Sequence, residues 1–435
     1  MERYIIEDLR NWAKRDRRKP LLLRGARQVG KTWLVEALAK DQFENLVKID
    51  FEEKPDLILM FNGDLDPQII CAELEIRMGQ QIVEGKSLVF FDEIQVCPRA
   101  IMALRYFFEK KPGLHIIAAG SLLEFVYSEI SFPVGRIQTL EVFPLDFSEF
   151  LLATGNQSGA NLCRQPLVEV SETIHNFLIA QLRIYWLVGG MPECVKVYAQ
   201  TKSIKSAIEV QDEIIETYQL DFNKYKPKTD INCLRTVFAG LAAKVGQQIK
   251  YTTFSKDYTI PTIKKAFESL LMARIATMVK ALASPGMPMQ VYASDKKFKI
   301  VFLDIGLMNR IMGINYEEAL NHENLLSIYR GQLAEQFVGQ EFVSQQKDIL
   351  YYWAREAKNS NAEIDFLLHR DDDFIPVEVK DGPSGKLRSL HYYKTAYQPG
   401  QSIVLNAGKM GRNEAENIYF LPLYFAKSFA KWGLP

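Results

Sequence analysis

Largely apolar runs of strand length alternate with helix-length segments along the first third of the chain. Leu21-Leu22-Leu23, Leu46-Val47-Lys48-Ile49, Ser87-Leu88-Val89-Phe90-Phe91 and His115-Ile116-Ile117-Ala118-Ala119 are such runs. A strand with no polar face is one covered on both sides, so these runs predict a parallel sheet between helices, an α/β domain of three α/β/α layers. The pattern then changes. From about 161 to 228, Ile184, Leu187 and Val188, then Ile208, Ile214, Ile215 and Tyr218, stand at helical spacings and predict helices joined by the turn Gly189-Gly190-Met191-Pro192. Further on, helices over 234–245, 253–256 and 261–272 precede a strand over 296–303. That is the order of a winged helix-turn-helix, with Pro261 early in the would-be recognition helix and Lys264 and Lys265 placed to meet phosphates. Glu268, four residues after Lys264, offers an intrahelical ion pair as the plainer use of that lysine. A last helix over about 324–346 leads to two strands, 362–368 and 374–380, joined by a polar turn.

Chemistry gathers at the ends of the apolar strands. Gly25-Ala26-Arg27-Gln28-Val29-Gly30-Lys31-Thr32 fits the phosphate-loop pattern G-x-x-x-x-G-K-[ST] directly after the first strand. Gly25 and Gly30 let the backbone approach phosphate, Lys31 reaches the β and γ phosphates, and Thr32 ligates Mg²⁺. About sixty residues later a second apolar strand ends in Asp92-Glu93, a Walker B signature. A buried parallel strand delivers such residues to the sheet edge where nucleotides bind, so Asp92 completes the Mg²⁺ shell and Glu93 polarises the attacking water. Alone, either element reads as an ordinary turn; together they predict an ATP site.

A second constellation lies near the C-terminus. Strict alternation in Phe374-Ile375-Pro376-Val377-Glu378-Val379-Lys380 puts Glu378 and Lys380 on one face, and Asp365 comes within reach of Glu378 across a hairpin. Glu335 shares a helical stripe with Gly331, Val338 and Phe342, and a carboxylate on a partly apolar face asks for a partner. Two or three carboxylates and a lysine can bind Mg²⁺ or Mn²⁺, activate water and stabilise the transition state of phosphodiester hydrolysis. A surface ion pair on an edge strand is the plain alternative for Glu378 and Lys380.

Composition narrows the field. At 435 residues and 48% hydrophobic content the chain is long enough for several domains with real cores. Lys plus Arg and Asp plus Glu number 53 each, so no whole-molecule field points to nucleic acid, and any such contact must come from local patches. The basic run from Arg10 to Lys19 reads as a solvated helix end. Cys71, Cys97, Cys163, Cys194 and Cys233 lie far apart without a zinc-like spacing to histidine. No signal-peptide core and no membrane-spanning run is evident, and a cytoplasmic location without membrane partners is expected.

Val134-Gly135-Arg136-Ile137, Val142-Phe143-Pro144-Leu145-Asp146-Phe147 and Trp186-Leu187-Val188-Gly189-Gly190-Met191-Pro192-Glu193, taken with the two Walker elements, resemble a family of prokaryotic AAA-type ATPases, akin to archaeal-type and STAND-like ATPases. These carry a C-terminal domain of unassigned function. The resemblance implies that Arg136 serves γ-phosphate or a neighbouring subunit, that Ser121 is a polar sensor, and that Pro192 belongs to a lid motif packed on the base. Ser121 before Leu122-Leu123-Glu124 also reads as a helix capping box. The set Glu335, Asp365, Glu378 and Lys380 resembles the PD-(D/E)XK nuclease-like superfamily, which implies Asp365 and Glu378 as metal ligands, Glu335 assisting and Lys380 positioning or deprotonating water. Ile364 stands where that pattern has proline. The expected organisation is an ATPase domain over 1–160, a helical lid over 161–228, a winged helix over 229–313 and a restriction-endonuclease-like α/β domain over 314–435. The leading expectation is an ATP-driven protein acting on DNA or another nucleic acid. The alternative is a nucleotide-dependent switch or scaffold that recruits a protein partner, and a homo-oligomer is compatible with either.

Overall fold

A computed structural model describes residues 2–126, 131–225, 229–314, 330–345, 350–355, 362–370, 373–380, 382 and 387–434. It divides into two compact units: 1–144 with 223–228 and 272–274, and 145–222 with 229–271 and 275–435. Most of 161–228, 229–313 and 314–435 falls in the second unit, with 223–228 and 272–274 grouped with the first.

In the first unit the elements run α1 (Ile6–Ala13), β1 (Leu21–Arg24), α2 (Lys31–Gln42), β2 (Asn45–Asp50), α3 (Pro67–Met78), β3 (Ser87–Asp92), α4 (Pro98–Lys110), β4 (His115–Gly120) and β5 (Gln138–Glu141). The strands form one parallel sheet in the order β2-β3-β4-β1-β5. The chain moves from β1 outward to β2 and then back through β3 to β4, so right-handed crossovers place α2 on one face and α3 and α4 on the other. This is the three-layer arrangement the apolar runs predict. β3 and β4 are buried at every position, and Phe51, Phe61, Phe91 and Phe107 stack edge to face beside them. The basic segment after α1 is tied down: Trp12 donates to the Lys19 carbonyl at 2.8 Å and Arg15 to Gln138 at 3.1 Å.

The second unit begins with α5 (Phe147–Ala153), α6 (Gln157–Leu162), α7 (Glu172–Val188), α8 (Pro192–Thr201), α9 (Ile204–Asp221), α10 (Ile231–Ala243) and α11 (Ile260–Met272). It continues with β6 (Ala276–Leu282), α12 (Met289–Tyr292), β7 (Ala293–Phe302), α13 (Ile305–Ile311), α14 (Arg330–Val343), β8 (Leu350–Ala354), β9 (Glu363–Arg370), β10 (Asp373–Val379), α15 (Arg388–Tyr397), β11 (Ser402–Asn406), β12 (Gly411–Asn413), β13 (Ile418–Pro422) and α16 (Ala426–Trp432). The strands form an eight-stranded sheet in the order β12-β13-β11-β10-β9-β8-β6-β7. Helix α10, a short turn at Tyr251–Thr253, α11 and the antiparallel pair β6/β7 follow the order of a winged helix, yet β6 also pairs in parallel with β8. The would-be wing is therefore part of the larger sheet. Lys264 lies 3.7 Å from Glu268, the intrahelical pair.

Buried polar side chains stitch this unit together. Gln336 of α14 both accepts from and donates to the Phe302 backbone at 2.8 Å, and Gln340 accepts from Ile305 N at 2.9 Å. Asp146 closes a capping box with Glu149 on α5 and pairs with Lys427 of α16, while Glu341 accepts from Phe147 N at 2.9 Å. All five cysteines are free and buried. Among the described residues no helix is long and apolar enough to cross a membrane.

Candidate functional site

The parallel register brings the C-terminal ends of β1, β4 and β3 side by side, because Arg24 faces Gly120 and Phe91 faces Ala118. The loop after β1 therefore opens beside Ser121 and Asp92. Gly25 takes φ +147°, and a Cβ there would lie 2.2 Å from the Val142 carbonyl oxygen, so no side chain fits. Gly30, at φ +92°, turns the chain into α2 and leaves that helix's first N–H groups facing the loop. Lys31 is buried, its Nζ donating to the Gly25 and Ala26 carbonyls at 3.0 and 2.8 Å. Burial lowers its ammonium to about 8 against the pull of Glu93 and Asp92.

Thr32 Oγ1 donates to Asp92 Oδ2 at 2.7 Å, joining the loop to the Walker B strand across 60 residues of sequence. Burial raises the Asp92 carboxyl, partly offset by the Thr32 hydroxyl. A hydroxyl and a carboxylate at this spacing are hard oxygen donors of the kind Mg²⁺ takes. Glu93 adopts φ +48° and accepts from Gln95 Nε2 at 2.5 Å. Ser121 is buried and its Oγ has no hydrogen-bond partner. The capping box expected there does not form: Leu122 precedes a single 3₁₀ turn, Leu123–Phe125, without a side-chain cap. Glu124 instead pairs with Arg24 and, at 2.9 Å, with Arg274, whose other nitrogen meets Glu141 at 3.1 Å.

Arg136 lies elsewhere. It stands two residues before β5, at the N-terminal ends of the parallel strands and so at the end of the sheet away from the phosphate loop, and binds Glu109 near the end of α4 at 3.0 Å. That placement removes it from this chain's own γ-phosphate position. Pro192 opens α8 in the second unit, and the preceding Gly190 N donates to Asp304 at 2.6 Å while its carbonyl accepts from Leu145 N at 2.7 Å. The Gly-Gly-Met-Pro turn is thus fixed within its own unit.

Residues 17–151 match the family model of an AAA domain. The first unit carries an AAA-type P-loop ATPase domain. Such a domain binds and hydrolyses nucleotide, ordinarily ATP with Mg²⁺. Residues 179–318 and 330–426 match two domains of unknown function, DUF8612 and DUF4143. No curated protein matches the chain. Among solved structures the chain is similar to the Walker-type ATPase PABY2304 of Pyrococcus abyssi, at 17% identity over 71% of this chain and 94% of that one, with a TM-score of 0.44. RuvB of Thermotoga maritima aligns at 14% identity over 63% of this chain and 88% of its own, TM-score 0.30. C. elegans PCH-2 aligns at 14% over 46% and 62%, TM-score 0.25.

In the second unit β9, β10 and α14 bring together the four residues singled out near the C-terminus. Asp365 Oδ2 accepts from Val379 N at 2.8 Å, and Glu378 Oε1 accepts from Lys380 Nζ at 2.6 Å. Burial raises the Glu378 carboxyl to about 7, with Asp365 adding to it and Lys380 opposing, while Glu378 Oε2 is buried without a partner. Burial likewise raises Glu335 to about 7. Between these groups stands a residue the sequence reading passed over. Lys299 of β7, 2% exposed, meets Glu335 and Glu363 at 3.0 Å and Asp365 at 3.5 Å. Among the described residues no group of three or more His, Cys, Asp or Glu side chains is arranged to hold a metal ion. The carboxylates are those expected of a divalent site, but their shared position is taken by an ammonium, so the set does not fit a metal as it stands. The available signal was Lys299 alternating onto the same face as buried Val301. Gln95 and Arg274 were also missed, the first for want of a motif and the second because it lies far along the sequence.

Proposed function

We propose that the chain is an ATP-hydrolysing switch whose first unit turns over the nucleotide and whose second unit is the effector. Lys31 neutralises the β and γ phosphates, and Thr32 and Asp92 are the residues that would hold Mg²⁺, which would supply positive charge for the transferred phosphoryl. Glu93, fixed by Gln95, orients the attacking water, and the unpartnered Ser121 hydroxyl donates to γ-phosphate or to that water. The hydrogen bond between Thr32 and Asp92 carries this reading, since it joins the two Walker elements into one oxygen site. Thr32→Ala is expected to remove Mg²⁺-dependent turnover while the chain stays folded; unchanged turnover would count against it.

For the second unit the switch or scaffold reading, with a protein partner, is favoured by Lys299, which satisfies the carboxylates that a metal would need. Metal-dependent cleavage of DNA or RNA is the second reading, favoured by the adjacency of Asp365, Glu378 and Lys380. Labelled single-stranded, duplex and branched substrates in Mg²⁺ or Mn²⁺, with and without ATP, separate the two. The scaffold reading expects no cutting by protein that still hydrolyses ATP, whereas cutting abolished by Lys380→Ala establishes the nuclease.

A further inference from the structure

We infer that Lys299 is the resident cation of the second unit's carboxylate cage and excludes a divalent metal from it. This deepens the reading of that site given above. Three independent features of the cage support it. Lys299 Nζ sits among three carboxylate oxygens, from Glu335 on α14 and from Glu363 and Asp365 on β9, at 3.0, 3.0 and 3.5 Å. Its side chain is 2% exposed and passes over the Tyr352 ring, 5.2 Å from the centroid, so it is held by packing as well as by charge. Lys380 closes the other side on Glu378. The carboxylates facing the cage are Glu335, Glu363, Asp365 and Glu378, and the cations are Lys299 and Lys380; a divalent ion bridging Glu335 and Asp365 would have to lie against the Lys299 ammonium, where like charges repel.

The exchange is chemically specific. An ammonium supplies fixed positive charge and N–H donors but forms no coordination bond to water, so the cage loses the metal's water-activating role while keeping its charge balance. What remains open is the Glu378 Oε2 acceptor, buried without a hydrogen-bond partner.

Mn²⁺ binding to the full-length, nucleotide-free chain, read by electron paramagnetic resonance, tests this. The wild-type chain and the Glu335→Gln/Asp365→Asn variant are expected to bind equal numbers of Mn²⁺, since any ion held at the phosphate loop is common to both. Lys299→Ala is expected to gain one Mn²⁺ per chain, and to lose it again when the two carboxylate changes are added. One Mn²⁺ more in wild type than in the carboxylate variant overturns the inference, as does a folded Lys299→Ala chain that gains none. The wild-type comparison stands even if Lys299→Ala does not fold. Cutting of nucleic acid in the presence of a chelator would sink the scaffold reading and leave this inference intact, whereas a wild-type Mn²⁺ site sinks this inference whether or not anything is cut.

Discussion

Lys31 and Arg136 are both cations in phrases tied to ATP, and their surroundings separate them. Lys31 is buried against the carbonyls of its own loop, where a phosphate oxygen is the natural competitor for its N–H groups. Lys31→Ala should weaken ATP binding about 10- to 100-fold, the worth of one charge-assisted hydrogen bond, measured by titration with a fluorescent ATP analogue. Arg136 is 47% exposed and paired with Glu109 at the N-terminal ends of the strands, away from the phosphate loop. Arg136→Ala should leave the turnover of the isolated chain within about twofold and its stability within about 1 kcal/mol. A large loss of turnover only at high protein concentration would instead assign it to a neighbouring copy.

At the scale of elements, much was legible and the reasons are physical. An apolar run such as β3 has no face to offer water, so its burial between helices follows from composition alone, and its terminal carboxylates follow from strand direction. The hairpin of β9 and β10 was legible from alternation around a polar turn. Pairing between distant strands was not: nothing local announces that β6 adds to β8 and draws the would-be wing into the large sheet. Lys299 was missed for the same reason, because its carboxylate partners lie 36 or more residues away in sequence. Lys427 on the last helix is a further case, 15% exposed beside the buried carboxylates of Asp146 and Glu341. Lys427→Ala leaves buried carboxylates without their cation and should cost about 3–5 kcal/mol, measured by urea unfolding. A cost under about 1 kcal/mol would show that the pair is solvated.

The two units should answer pH in opposite directions. In the second, burial raises Glu335 and Glu378 to about 7 and Glu341 to about 8, above the ordinary 4.5. Their stabilising contribution is complete below about 4.5 and is lost as pH rises through 7 to 8. In the first, Lys31 is lowered from 10.5 to about 8, so its contribution is present above 10.5 and is lost as pH falls through 8. Raising nucleotide-free protein from about pH 6.5 to 8.5 should destabilise the second unit and stabilise the first, read by hydrogen exchange. Equal shifts of one sign in both units contradict that assignment.

The central claim is that one nucleotide site, built from the loop at Gly25–Thr32 and from Asp92-Glu93, hydrolyses ATP. Its most direct test is Mg-ATP binding and single-turnover hydrolysis by the full chain and by Glu93→Gln. The variant should bind ATP as the wild type does and lose about 10²- to 10⁴-fold in turnover. Turnover that survives Glu93→Gln, or ATP binding that disappears with it, would contradict the account.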